Sequence, residues 1–272
     1  MPVIKTWLSE ASRQLSKSGI KTASLDAEII LATALKVNRP HLHAHPEMVI
    51  NKSIIEKIDK MIDLRLNRMP IAYIIGHKEF YGRNFIVTKD TLIPRPESEA
   101  IIDMLKNIIE NTQKPLNLID IGTGSGCLGI TAKLEFPALN VVLADISSKA
   151  LKVATLNAER LLAITTTLQS DLLSNCDTKI DIIIANLPYV DKSWERSPET
   201  NYEPSLALFA NNNGKSLIEK LLKQAKKSLK QGGYIIIEAD PEQHKELIKF
   251  ARNESFKLIS KQDYVIKFKY QN

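Results

Sequence analysis

The N-terminal part of the chain carries apolar residues at helical spacing. Trp7, Leu8, Ala11 and Leu15 recur three and four positions apart, so they share one face of a helix that Gly19 can end. Ser24 is placed to cap a second helix, with Asp26 and Glu28 in its first turn, near the positive end of the helix dipole. Ser53 and Glu56 have capping-box spacing, and Ile54, Ile58, Met61 and Ile62 continue as an apolar stripe. His41, His43 and His45 alternate between these helices in a stretch read as a loop. No acid or cysteine stands close to them in the sequence, so no metal site is expected there.

The pattern changes between Ile74 and Pro96. EFYG and NFIVT read as two short strands around a turn at Gly82, and LIPRPE follows with two prolines that forbid regular helix. From Pro96 onward, short apolar strands alternate with amphipathic helices. The predicted strands are LNLIDI, NVVLADI, ITTTLQS, IDIIIAN, YIIIEA, FKLIS and YVIKFK. A helix opens at Pro96 with Glu97 and Glu99 in its first turn; CLGITAKLEF, SKALKVATLNAERLL (capped by Ser147), KSLIEKLLKQAKKSL and PEQHKELIKFA supply the others, and QGG is read as a turn. Repeated β–α units of this kind predict an α/β fold, a mostly parallel sheet covered by helices on both faces. Ligands of such sheets bind at the carboxyl ends of the strands, where the strand order reverses. The chain therefore divides into a helical domain over 1–73, a β-hairpin linker over 74–95 and an α/β domain over 96–272.

Composition narrows the class. With 44% hydrophobic and 25% charged residues among 272, the chain has the make-up of a soluble globular protein, and no apolar run approaches the roughly 20 residues of a membrane span. The N-terminus has no continuous apolar core behind its positive charge, so a secretory signal is not expected. Cys127 and Cys176 suggest neither a disulfide framework nor a metal cluster, which fits a cytoplasmic location. The net charge of +6 is scattered rather than gathered into a basic block. It fits solvated surface lysines, and equally a protein that works near RNA.

The candidate chemistry begins at Asp120-Ile121-Gly122-Thr123-Gly124-Ser125-Gly126, between a predicted strand and a predicted helix. Glycines there let the backbone turn sharply and approach a ligand with no Cβ in the way. Asp145 ends the next strand, where an acid can accept hydrogen bonds from both ribose hydroxyls of an adenosine. Gly124 to Gly129 also fits the dinucleotide pattern, so the loop alone does not separate NAD from S-adenosylmethionine. Asp120 favours the second, because a carboxylate suits the methionyl ammonium and repels a pyrophosphate.

The end of the fourth strand, Asn186-Leu187-Pro188-Tyr189, favours it further. The Asn186 side-chain oxygen and the Leu187 carbonyl can each accept one N–H from an NH₂ group on a planar π system. Pro188 restricts Leu187 to an extended conformation, and Tyr189 can pack on the planar group. An amide nitrogen is a poor nucleophile, and two acceptors gripping its hydrogens would aim its lone pair at a methyl donor. An adenine amine presents the same geometry.

Taken together, these motifs resemble the amino-methyltransferases. Additional residues make the chain similar to the release-factor glutamine methyltransferases, the PrmC/HemK family. They are Glu79-Phe80-Tyr81-Gly82, Leu92-Ile93-Pro94-Arg95-Pro96-Glu97-Ser98-Glu99, Asp145-Ile146-Ser147 with Ala150-Leu151 and Asn157-Ala158, Glu203-Pro204 with Ala207-Leu208, and Ile237-Glu238 with Gln243. The resemblance implies a class I S-adenosylmethionine-dependent methyltransferase fold, Rossmann-like with a mostly parallel seven-stranded sheet, and a small N-terminal helical domain joined by a β-hairpin. It implies that Asp120, Gly122, Thr123, Gly124, Ser125, Gly126, Asp145, Ile146 and Asn186 hold S-adenosylmethionine, with Asp171 and Leu172 beside the adenine. Asn186, Leu187, Pro188 and Tyr189 would hold the glutamine of the Gly-Gly-Gln loop of peptide-chain release factors, and the helical domain would help to dock that protein. A membrane is not expected as a partner, and direct nucleic-acid contact is not required, although proximity to the ribosome fits.

Three positions depart from the family pattern: Leu187 for the usual first proline, Ser98 for threonine, and Ala239-Asp240 for a small or glycine-containing turn. A ribosomal-protein glutamine methyltransferase or an N6-adenine methyltransferase is the alternative expectation. Arg95 and Glu97 are open to a domain-joining salt bridge or a site role, Glu203 to a lid or a backbone anchor, and Phe80 and Tyr81 are expected to fill the interface between hairpin and core.

Overall fold

The computed structural model describes residues 1–110, 112 and 114–271, so residues 111, 113 and 272 of the expected 96–272 domain lie outside the described residues. The chain forms two compact units, 1–76 with 197–202, and 77–196 with 203–272.

The first unit contains α1 (Ile4–Lys17), α2 (Ala23–Leu35), α3 (Arg39–Ala44), α4 (Lys52–Leu66) and α5 (Ile71–Ile75). The Trp7/Ala11/Leu15 face and the Ile58/Met61/Ile62 stripe meet Ile30 and Leu31 in one apolar core. Three local expectations differ. α2 begins at Ala23, which places Ser24 inside the first turn instead of at the cap. At α4 it is Asn51 that caps, accepting from the Ile54 amide at 2.9 Å, while Ser53 donates its hydroxyl to Asn51. The histidine stretch is helical, because Asn38 caps the amide of His41 and Pro40 suits a first turn. Asp26 does not face solvent: it is buried against Arg65, Nε to Oδ2 at 2.7 Å.

In the second unit, β1 (His77–Phe80) and β2 (Arg83–Ile86) pair as the antiparallel hairpin. α6 (Glu99–Ile109), β3 (Asn117–Ile121), α7 (Cys127–Glu135), β4 (Asn140–Asp145), α8 (Ser148–Arg160), β5 (Thr166–Gln169) and β6 (Ile180–Ala185) follow. Next come α9 (Ser205–Leu208), α10 (Ser216–Ser228), β7 (Leu229–Glu238), α11 (His244–Asn253), β8 (Phe256–Gln262) and β9 (Val265–Tyr270). The seven-stranded sheet has the order β5-β4-β3-β6-β7-β9-β8, parallel except for the pairings of β9 with β7 and β8.

Strand residues alternate between two cores. Ile119, Ile121, Ile183 and Ala185 join α10 and α11 on one face, whereas Leu118, Ile182 and Ile184 join α6, α7, α8 and the hairpin residues Phe80 and Phe85 on the other. Burial on both faces explains why the central strands read as continuous apolar runs. Phe80 therefore packs where the sequence placed it; Tyr81 lies at the edge, its hydroxyl on Asp103. QGG is no free turn. It lies within β7, where the pairing with β6 shifts between Ile180 and Ile182 and Gly232 adopts φ +78°.

Candidate functional site

The strand order reverses between β3 and β6, and a cleft of about 1110 Å³ including its open mouth lies at that end of the sheet. Gly122, Thr123, Gly124 and Ser125 from the glycine loop border it, with Asp145, Ile146, Asp171 and Leu172. Asn186, Leu187 and Pro188 border it on the other side, joined by Ser98. Asp120, Gly126 and Tyr189 do not line the cleft; each acts on something that does.

Asp120 is fully buried under the loop. Its Oδ2 accepts from the Thr123 hydroxyl at 2.6 Å and from the Gly129 amide at 2.9 Å, so one carboxylate oxygen ties the loop to the first turn of α7. Its Oδ1 is buried and has no hydrogen-bond partner among the described residues. Burial pushes the carboxyl up from 3.8 to about 6, against the two hydrogen bonds that pull it down. Gly129 is required by packing: a Cβ there would lie 2.3 Å from Leu143 Cδ2 and 3.0 Å from Asp120 Cβ, so only glycine lets α7 sit this close to the sheet. Asn157, buried on α8, donates to Ser125 O and Ile86 O, both at 2.9 Å, and accepts from the Ile86 amide at 2.7 Å. It thereby fixes the loop and the end of β2 together.

Asp145 accepts from the Gly124 amide through Oδ2 and from the Ser147 amide through Oδ1, both at 2.9 Å. The Ile146 amide also acts on it; a carboxylate has about four lone-pair sites, so at least one remains for a ligand. Burial raises its pKa. Asp171 pairs with Lys220 at 2.5 Å, and Leu172 takes a left-handed conformation at φ +53°.

Asn186 donates from Nδ2 to Ser98 Oγ at 2.9 Å, which leaves Oδ1 as the acceptor for the cleft. Leu187 is 4% exposed, and its Cδ2 would come within 3.0 Å of a Cβ on Gly122, so the leucine packs over the glycine loop. Tyr189 points its hydroxyl inward, donating to Glu238 Oε1 at 2.9 Å; Ser98 Oγ donates to Oε2 of the same carboxylate at 2.5 Å.

The Tyr189 carbonyl accepts from Gln243 Nε2 at 2.8 Å, and Gly214 approaches so closely that a Cβ would sit 1.8 Å from that oxygen. Arg95 pairs with Glu203 at 2.5 Å, and Glu203 also accepts from the Ile93 amide at 3.1 Å. Both residues belong to the second unit, so this bridge fastens the proline loop within that unit and does not join domains. Sequence reasoning assigned no role to Ser98, Glu238, Gln243 or Gly214. The first three carried a signal, the resemblance itself, but the contacts that tie them to Asn186, Tyr189 and one another span between 49 and 140 residues of chain.

The fold and the cleft define a class I methyltransferase. A model of the methyltransferase small domain matches residues 98–200, and one of the PrmC N-terminal domain matches residues 6–76. The release factor glutamine methyltransferase of Koribacter versatilis (strain Ellin345) is 34% identical, over 88% of this chain and 88% of that protein. The bifunctional methyltransferase of Rickettsia bellii (strain RML369-C) is 37% identical over 86% of this chain, and the chain spans about half the length (48%) of that relative. A methyltransferase structure from Pyrococcus furiosus shares the fold, with a TM-score of 0.54 at 15% identity over 72% of this chain and 92% of that one. The chain belongs to the release factor glutamine methyltransferase family.

Proposed function

We propose that the protein transfers a methyl group from S-adenosylmethionine to the side-chain amide nitrogen of the glutamine in the Gly-Gly-Gln loop of peptide-chain release factors. The observation that carries this reading is Asn186: its Nδ2 is already engaged by Ser98, so the side chain offers an acceptor to the cleft. A primary amide needs acceptors on both hydrogens. Asn186 Oδ1 is one, and the Leu187 carbonyl, held by the conformational restriction that Pro188 imposes, is the other. Gripping both hydrogens draws the nitrogen away from planarity and aims its lone pair. Positioning of this kind is worth about 7–11 kcal/mol in well-oriented systems. The product nitrogen can release its proton to water afterwards, so no side chain has to act as a base first.

The residues present fit the cofactor. Gly122 and Gly124 let the backbone of the loop approach with no Cβ in the way, Asp145 keeps spare acceptor capacity for ribose hydroxyls, and Asp171 and Leu172 border the cleft for the adenine. The orphaned Asp120 Oδ1 adds negative charge below the loop, which favours the methionyl ammonium. When bound, S-adenosylmethionine supplies an electrophilic methyl on a sulfonium. Tyr189 supports this arrangement from beneath, through its hydroxyl and carbonyl contacts. We further propose residues 1–73 as the part that docks the release factor, and the cytoplasm, close to the ribosome, as the place of work. No helix among the described residues is long and apolar enough to cross a membrane.

The test is methyl transfer from labelled S-adenosylmethionine to a purified release factor, beside the same factor carrying Gln→Ala in its Gly-Gly-Gln loop. Label on the intact factor alone is the expected result. Label on neither, with cofactor binding intact, would turn the reading toward a ribosomal protein or an adenine in nucleic acid.

A further inference from the structure

Glu238 ends β7 next to the site, 1% exposed, with the Ser98 and Tyr189 hydroxyls and the Asn186 side chain as its hydrogen-bond partners, none of them a cation. A carboxylate buried without a cation is costly even when it is hydrogen-bonded. Its geometry supplies a role. The two ends of an asparagine amide have nearly the same shape, so packing alone does not choose which faces a cleft. A choice requires a partner that is strictly a donor or strictly an acceptor.

Ser98 becomes that partner. Its hydroxyl has one proton, and that proton is given to Glu238 Oε2 at 2.5 Å. Toward Asn186 the serine oxygen can then only accept, so Asn186 must turn Nδ2 to it, as it does at 2.9 Å. Oδ1 is left on the opposite side, where an incoming amide needs an acceptor. The reversed amide would set one NH₂ group against another.

Resting on the reading of Asn186 as the acceptor for the substrate amide, we infer that Glu238 and Ser98 are positioning residues that fix the orientation of the Asn186 side chain, while the same carboxylate fixes the Tyr189 hydroxyl. The ionised form is required. A protonated Glu238 would donate to Ser98, whose own proton would then turn to Asn186 and favour the reversed amide. Turnover therefore falls as the pH drops through the pKa of Glu238, which burial raises and the hydroxyls of Ser98 and Tyr189, with the Asn186 side chain, pull back. The other titratable groups facing this cluster are Glu97 and Cys127, with Arg95 and Tyr264 beside Tyr189.

Ser98→Thr and Ser98→Val decide the matter, because they differ in a hydroxyl and hardly in shape. Threonine is expected to keep turnover on the release factor near the parent value. Valine is expected to lower kcat about tenfold, the worth of one hydrogen bond of this kind. Glu238→Gln, which can turn an NH₂ donor toward Ser98 as the protonated carboxyl would, should lower kcat by roughly 10²-fold. Cofactor affinity in all three should stay near the parent value, which shows that the cleft has folded. In protein labelled with ¹³C-glutamate, the carboxyl resonance that vanishes in Glu238→Gln should report an ionised group at pH 7.5 and titrate at higher pH in Ser98→Val. Equal kcat for the threonine and valine variants, or a protonated Glu238 at pH 7.5, would overturn the inference. If the parent protein transfers no methyl to the release factor, the proposed substrate is wrong, and the resonance still decides whether the relay exists.

Discussion

Two acidic clusters in this chain, one partly buried and one buried, are balanced in opposite ways. In the first unit, Asp26 and Glu199 converge on one cation: Arg65 gives Nε to Asp26 at 2.7 Å and Nη1 to Glu199 at 3.0 Å, with Arg68 also on Glu199 at 3.3 Å. Thr22 adds a hydroxyl to Asp26 at 2.9 Å. Although burial pushes Glu199 up, hydrogen bonds from Ser197 and Arg65 hold it at about 2. In the second unit, Glu238 has hydroxyl donors, and its pKa is raised. A cluster whose charges cancel among themselves ties the 197–202 segment to α2 and α4, and that is explanation enough. A buried carboxylate without a cation is the kind of feature that survives because a site uses it. The difference separates structural polarity from functional polarity without reference to any relative.

The comparison predicts that removing the group served by Glu238 destroys activity and spares folding. Asn186→Ala should lower turnover by about 10³-fold, the upper range for losing one preorganised site contact, with cofactor affinity nearly unchanged. Near-normal turnover, measured by labelled methyl transfer, would remove Asn186 from the chemistry.

In the charge-balanced cluster the effect should fall on stability. Arg65→Met leaves Asp26 buried without a cation, a loss of about 3–5 kcal/mol. Pairing it with Asp26→Leu should recover most of that, because the charge left behind is gone as well. Urea unfolding of the single and double variants measures the difference. A double variant as unstable as the single one would mean that Arg65 acts by packing and that the two clusters do not differ in the way proposed.

Much of this was legible in the residues. The strand–helix alternation, the glycine loop, the acid at Asp145 and the Asn-Leu-Pro-Tyr motif are local patterns, and local patterns fix periodicity and turn chemistry. Helix starts were less legible, because Ser24 and Ser53 compete for the cap with Thr22 and Asn51, and the winner depends on where the backbone turns. QGG reads as a turn from composition, yet a strand can absorb it through a shifted register. The Glu238–Ser98–Asn186 relay was out of reach for another reason: its members stand 88 and 140 residues apart, and no spacing rule reports that a hydroxyl meets a carboxylate. Gly214 is the same case, a glycine whose necessity exists only once Tyr189 lies beside it.

Asp145 sharpens the comparison from the cofactor side. It has a raised pKa like Glu238, yet it borders the cleft and keeps acceptor capacity free. Asp145→Ala should weaken S-adenosylmethionine binding by about 2 kcal/mol, the range of hydrogen bonds to a charged group. Calorimetric titration reads this, and unchanged affinity would take Asp145 out of the site.

The smallest effect concerns Asp120, a third buried carboxylate, partnered by Thr123 and the Gly129 amide and lacking a cation. Its raised value gives the sign. Stability from folding the neutral carboxyl is complete below 3.8 and is lost as the pH rises through about 6. A ligand bringing a positive charge into the cleft favours the ionised carboxyl, so binding should release a proton in that window. Cofactor affinity should accordingly weaken as the pH falls below about 6, by up to about tenfold for the first unit. Asp145 also has a raised pKa, so the slope alone does not identify its source. Asp120→Asn does: it should flatten the dependence while the hydrogen-bond acceptor to Thr123 and Gly129 survives in the amide oxygen. A slope that persists in this variant would assign the proton to Asp145 and leave Asp120 with the purely mechanical task of holding the loop.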